Sequence, residues 1–321
     1  MPSALRAKAG RPARGARIAN PGRAGLLLVF VGLPFAGYAL LVLWPFAQAA
    51  AFSFTSWGGF DPAKPFVGLQ NFGSLLADGT FRKAVGNTAL ILAILPVATL
   101  LVAFVLSLLI TIGGPTHGTV RGVRGASFYR IVAFFPYIVP AVVIGIIWAQ
   151  VYDPSSGLLN GALRAIGLHG FSSFAWLGQA STAIWATLAV VVWAFAGFYM
   201  VLFVAAIRGI PTELFEAARL DGAGRYRTAI SVVVPSIAGT IRTSYIYMGI
   251  VALDLFVFVT VFNPDGGPND STLVVTQSIY QTAFQQGKFG LACAMGVVLA
   301  AMTFLFMAVV ALTRKLTGAI R

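Results

Sequence analysis

Thr182-Ala-Ile-Trp-Ala-Thr-Leu-Ala-Val-Val-Val-Trp-Ala-Phe-Ala-Gly-Phe-Tyr-Met-Val-Leu-Phe-Val-Ala-Ala-Ile207 runs for 26 residues without a charge. About 20 apolar residues in helical form cross the hydrocarbon core of a bilayer, and the helix satisfies its own backbone hydrogen bonds there. Five more runs of the same character lie approximately at Leu26–Phe54, Thr88–Ile112, Ile131–Val151, Val232–Phe262 and Phe289–Leu312. The sequence therefore predicts an all-α integral membrane protein with six transmembrane helices. Prolines at 34, 45, 96, 136, 140 and 235 interrupt the runs, and kinks of this kind are better tolerated in a membrane bundle than in a soluble helix.

The whole chain agrees with that reading. It is 58 % hydrophobic and 10 % charged over 321 residues, with mean hydropathy +0.87, against about 25 % charged in soluble domains. A net charge of +13 would suggest nucleic acid in a soluble protein. Here the basic residues flank apolar runs, so they read as orientation signals and no nucleic-acid partner is expected. The single cysteine, Cys293, excludes an intramolecular disulfide and a multi-cysteine metal site.

Orientation follows from the distribution of Lys and Arg. With the N-terminus inside, the inner segments carry 16 of them and the outer loops 5, so both termini are expected in the cytoplasm. Arg242, two turns into the fifth run, is placed to snorkel towards the inner surface. The first run is too long for the core of a cleaved signal and reads as an uncleaved span. The expected division is a basic cytoplasmic tail at 1–25, a transmembrane domain at 26–315 and a cytoplasmic C-terminus at 316–321.

Between the fourth and fifth runs lies the polar loop 208–230, which is patterned like structure. Pro211 suits a first helical turn, Glu213 and Glu216 sit near the positive end of the dipole, and Gly222 after Asp221 is a stop signal. Leu214, Phe215, Ala217, Ala218 and Leu220 are expected to form a compact apolar surface that another body approaches closely. A second short helix is expected to run from beyond Gly222 through Tyr226 into the fifth span.

Glu216-Ala217-Ala218, three residues, Gly222, nine residues, Val232, one residue, Val234-Pro235 resembles the EAA loop of permeases in binding-protein-dependent ABC importers. The departures are valines at 232 and 234, where isoleucine and leucine are usual. Phe66-Val-Gly-Leu-Gln-Asn-Phe72, Phe135-Pro-Tyr-Ile-Val-Pro140, Gly157-Leu-Leu-Asn160 and Leu253-Asp254-Leu255 with Gly266-Gly-Pro268 are similar to the carbohydrate branch, and to its maltose-type first permease. Asn263-Pro264-Asp265 departs from the commoner residues before those glycines. The resemblance covers roughly residues 26 to 315. It implies a type I ABC importer permease bundle in a bacterial inner membrane, with a cytoplasmic coupling helix that inserts into an ATPase. It also implies a second permease subunit, two copies of the ATPase, an extracytoplasmic substrate-binding protein and a carbohydrate substrate.

The resemblance assigns ATPase coupling to Glu213, Glu216, Ala217, Ala218, Asp221, Gly222 and Pro235. It places the solute path on spans three to five, at Tyr137, Tyr199, Met248, Ala252, Asp254 and Leu255. Asp254 is the acidic residue deep within an apolar run, and an intramembrane carboxylate is costly enough to mark a functional position. Its chemistry leaves open a sugar-hydroxyl contact, a structural role near the outer end of the span, or the cation site of an ion-coupled carrier. Trp193 reads as lipid-facing or packing, Tyr245 and Tyr247 are ambiguous, and His117 and His169 read as solvated loop residues. No Gly-x-x-x-x-Gly-Lys-Ser/Thr loop occurs, so this chain is not expected to hydrolyse ATP or hold a cofactor; ATP and magnesium belong on the partner subunits. A hydrolase reading of Ser172 and Ser173 beside His169 lacks a Gly-x-Ser-x-Gly elbow.

Overall fold

The computed structural model describes residues 25–112, 123 and 125–318. Most of the basic tail, and His117 with Arg121 and Arg124, lie outside the described residues. The chain divides into two compact units, residues 1–48 and 49–321. Helix α1 (Gly25–Phe52) accounts for the described part of the first unit, and none of its residues is buried.

Helix α1 shows how this chain accommodates proline. It widens into π-turns at Leu28–Gly32 and Ala39–Leu43, each ending two residues before a proline, Pro34 and Pro45. A third π-turn, Ala229–Val233, ends two residues before Pro235. Proline lacks an N–H and its ring collides with the carbonyl four residues back, and a wider turn carries that carbonyl away. The buried Pro96 and Pro136 sit in α-helix without this device.

In the second unit, α2 (Gln70–Ala77) leads into α3 (Gly79–Ile112). Helix α3 starts well before the apolar run at Thr88, with the Asp78 carboxylate accepting the Thr80 amide at 2.9 Å. The third span is not the single rod the sequence suggested. Helices α4 (Ala126–Ile138) and α5 (Ala141–Val151) meet at 100°, because Pro140 drives Val139 out of the helical region, to ψ 133°. Helix α6 (Leu158–Ala165) follows outside the span, and α7 (Ala183–Arg208) is unbroken.

After helix α8 (Thr212–Leu220) the fifth span is likewise broken. Helix α9 (Arg225–Ser236) turns by 75° into α10 (Ala238–Leu253). A second interruption at Asp254 and Leu255 precedes α11 (Phe256–Phe262). Helix α12 (Val275–Tyr280) continues as a π-turn over Gln281–Gln285, and a short loop leads to α13 (Phe289–Gly318), which extends past the expected end at Leu312. Four long helices and two bent pairs thus make up to six spans. Among the described residues the extended structure is one isolated bridge, Thr55 to Phe66.

Helix α7 is the hub, with 56 % of its apolar window buried. Helix α3 packs along it, α4 packs across it, and α10 joins α3 and α13. Val190, Val191, Met200 and Phe203 of α7 meet Ile91 and Leu95 of α3 and Met248 of α10 in one core, all fully enclosed. In lipid such packing stabilises through van der Waals contact, because tails are as apolar as the side chains. The loops that join the spans are tied by side-chain amides. Asn87 Nδ2 donates to the carbonyls of Asp270 and Leu273 at 2.9 Å each, and Asn71 Nδ2 to those of Ser53 at 2.8 Å and Thr55 at 2.9 Å. Gln277 Nε2 donates to the carbonyls of Asn263 and Pro264, which fixes the stretch that departs from the family pattern.

Candidate functional site

The polar loop is built as a short helix with defined ends. Pro211 is extended, at ψ 136°, and serves as N-cap, so the first turn begins at Thr212 with Glu213 in it. At the other end the Ala223 amide donates to the Ala218 carbonyl at 2.8 Å and the Gly222 amide to the Arg219 carbonyl at 2.9 Å. This pair of bonds is a Schellman ending, and it needs a left-handed residue at the turn. Gly222 supplies it with φ 71°. After the extended Gly224, helix α9 starts at Arg225 and carries Tyr226 towards the fifth span.

The apolar residues of α8 divide between two faces instead of forming the single surface expected. Phe215 and Ala218 are buried, and Phe215 belongs to the main core. That contact holds α8 against the bundle. Leu214, Ala217 and Leu220, spaced three apart, are exposed together with Glu213, Glu216 and Asp221, and Leu220 is 90 % exposed. The outward face is thus an apolar stripe edged by carboxylates, while Ala218 faces inward. Pro235 is exposed beyond the π-turn.

The residues assigned to the solute path do not form one surface. Tyr199, Met248, Ala252 and Leu255 are buried in the chain's own core, so in this conformation they present nothing to a solute. Tyr137 is 40 % exposed and lies stacked on Phe198, with ring centroids 4.5 Å apart. Asp254 is exposed, and among the described residues no donor reaches its carboxylate.

The sequence reading missed the company Asp254 keeps. Thr243, Tyr247, Ile250 and Asp254 are all exposed, and their spacing of four, three and four places them on one stripe of α10. Scanning that run for polar residues at helical spacing reveals it. The same geometry separates the two ambiguous tyrosines: Tyr245 packs against Phe306 at 5.8 Å, and Tyr247 is 62 % exposed. Trp193 packs edge-on against Trp148 at 5.3 Å, and His169 lies in an exposed turn.

Comparison with known proteins places this geometry. The family described as binding-protein-dependent transport system inner membrane component matches residues 110–317, which include α8 and four of the spans. The diacetylchitobiose uptake system permease protein NgcF of Streptomyces coelicolor is 51 % identical, over 97 % of this chain and 88 % of its own. A probable ABC transporter permease, YurN of Bacillus subtilis, is 32 % identical over 84 % of this chain and 90 % of its own. Among solved structures, a chain of a bacterial alginate ABC transporter in complex with an alginate pentasaccharide-bound periplasmic protein superposes with a TM-score of 0.77. It covers 94 % of this chain and 99 % of its own at 21 % identity, a likeness of fold. With a capped helix on a bundle of bent and unbroken spans, and with these relatives, the chain belongs to the inner membrane components of binding-protein-dependent ABC transport systems.

Proposed function

We propose that this subunit passes a carbohydrate across the cell membrane by alternating access, and that the solute is a disaccharide of the N-acetylated chitobiose class. The observation that carries the access route is the exposed stripe of α10. A carboxylate facing lipid is strongly disfavoured, and a phenol and a threonine hydroxyl on the same stripe add polar groups beside it. Asp254 therefore requires either water or another protein, and a passage shared with a second permease supplies both. Asp254 sits where the helix is interrupted, and irregular backbone at membrane depth is tolerated where it lines a cavity or is covered by protein. Tyr137 offers an aromatic face suited to a sugar ring.

Energy enters through α8. Its outward stripe of Leu214, Ala217 and Leu220 inserts into a cytoplasmic ATPase, and the buried Phe215 passes the motion to the core. One such helix per chain calls for a second permease to engage the second ATPase, while an extracytoplasmic binding protein delivers the solute to the outer loops. ATP and magnesium stay on the ATPases. Family membership and the EAA loop favour this reading over an ion-coupled carrier using Asp254.

The choice of sugar rests on the 51 % identical relative, whose name specifies diacetylchitobiose. Uptake of labelled diacetylchitobiose in cells lacking this subunit, with and without the restored chain, tests it. Restored uptake that excess unlabelled diacetylchitobiose suppresses and excess maltose does not supports the assignment. Uptake of maltose or trehalose alone moves the substrate within the carbohydrate class, and binding-protein-independent uptake dismisses the importer mechanism.

A further inference from the structure

A groove of about 310 Å³ opens between α4 and α7, lined by Ser127, Arg130, Ile131, Phe134 and Val201. Its lining is divided by chemistry. Arg130 and Ser127 occupy one end and three apolar side chains the other. Arg130 Nε donates to the Ala126 carbonyl at 3.2 Å and Nη2 to Ser127 Oγ at 3.0 Å. These bonds draw the guanidinium back along its own helix, towards the end that positive-inside topology places at the cytoplasmic surface. Among the described residues no carboxylate pairs with Arg130, and Nη1 has no acceptor. Ser127 Oγ accepts from Arg130 and keeps its own proton to donate.

A monovalent anion with an apolar tail matches these features. We infer that the groove holds an anionic phospholipid, its phosphodiester on Arg130 and Ser127 and an acyl chain along Ile131, Phe134 and Val201. A basic pocket between spans at the cytoplasmic leaflet is the general form of such a site. Arginine presents paired N–H groups that fit two phosphate oxygens. Ile131, 69 % exposed beside that charge, gains contacts from the tail. Because α4 leads to the bend at Pro140 and packs across α7, a lipid seated here braces the hub of the bundle. The inference depends on the inner placement of this end and not on the identity of the transported solute.

The test uses the transporter assembled with its partner subunits in mild detergent, as wild type, Arg130→Gln, Arg130→Lys and Arg164→Gln. Arg164 is an exposed residue of α6 and controls for lost charge. Phosphatidylglycerol is titrated while the thermal midpoint is followed, beside phosphatidylcholine and free glycerol phosphate. Wild type and Arg164→Gln gain stability saturably, Arg130→Gln needs roughly tenfold more lipid for the same gain, and Arg130→Lys falls between. Phosphatidylcholine and glycerol phosphate give no shift. An equal response from Arg130→Gln and Arg164→Gln overturns the site, and an equal response to glycerol phosphate replaces the lipid with a small anion. Should Arg130→Gln fail to assemble, photoreactive phosphatidylglycerol is applied to the wild-type complex. Labelling of the peptide 126–138 supports the inference, and a crosslink from that peptide to the second permease, without lipid label, makes the groove a subunit interface.

Discussion

Gly197 of α7 lies against the Ala133 carbonyl and the Phe134 Cα of α4 so closely that no Cβ fits between them. A missing side chain thus sets the spacing of the two helices, as small residues do elsewhere in membrane bundles. Gly197→Ala forces α4 away and destabilises the bundle by about 1–3 kcal/mol, the usual range for overpacking. Gly296→Ala in α13 is the control, since a Cβ there meets nothing within 4 Å. Thermal midpoints in detergent should fall for the first and hold for the second.

The ending of α8 makes a separate prediction. Gly222 has φ 71° and open space around its Cα, so an alanine there meets no clash and only the left-handed backbone, which costs about 1–2 kcal/mol. Gly222→Ala loosens the last turn of α8, the helix proposed to meet the ATPase, while the spans remain folded. The ATPase should co-purify less and uptake should fall, with Gly222→Asn partly restoring both because asparagine accepts this conformation. Normal co-purification with Gly222→Ala would remove the cap from the coupling role.

Asp254 allows its shape and its charge to be tested apart. Asp254→Asn keeps an acceptor at the helix break and should lower solute uptake while leaving assembly intact. Asp254→Leu removes every polar atom and should abolish uptake with the subunits still co-purifying. Full uptake by the leucine variant would take Asp254 out of the path. Loss of assembly in both variants would make it part of the contact with the second permease.

Asp153, beyond the C-terminal end of α5, accepts four hydrogen bonds, from the amides and hydroxyls of Ser155 and Ser156, at 2.7 to 3.0 Å. These donors favour the charged form and hold its pKa at about 2, below the ordinary 3.8. A depressed folded value means that the stabilisation is fully present above the unfolded pKa and disappears as pH falls through the folded one. Amide protection at Ser155 and Ser156, corrected for intrinsic exchange, should therefore be equal at about pH 7 and pH 5 and decline only between the two pKa values. Asp153→Ala should show the loss at every pH.

The spans and the short helix α8 were legible in the sequence because each is a local pattern. Thr182 to Ile207 is uncharged throughout, and the segment from Pro211 to Gly222 carries its own start and stop. Less legible was everything decided by neighbours. Composition scores Ile131–Val151 as one run, yet Pro140 fixes the residue before it and breaks the span. Hydropathy ranks Phe215 with Leu214, yet only Phe215 turns inward, because the helix is anchored on the core by one edge. Tyr199 and Tyr137 are both tyrosines on inner helices, and tertiary packing alone encloses the first and leaves the second half open. The stripe ending at Asp254 was present in the spacing of Thr243, Tyr247 and Ile250, and a continuous hydrophobic run concealed it.

The nine residues from Ala229 to Ile237 contain a π-turn and a 75° bend. A straight α-helix would act as a piston rod, carrying thrust along its axis into the membrane. This segment is instead a cranked shaft, whose two arms, α9 and α10, meet at 75°. A push along α9 therefore meets the foot of α10 crosswise and not end-on.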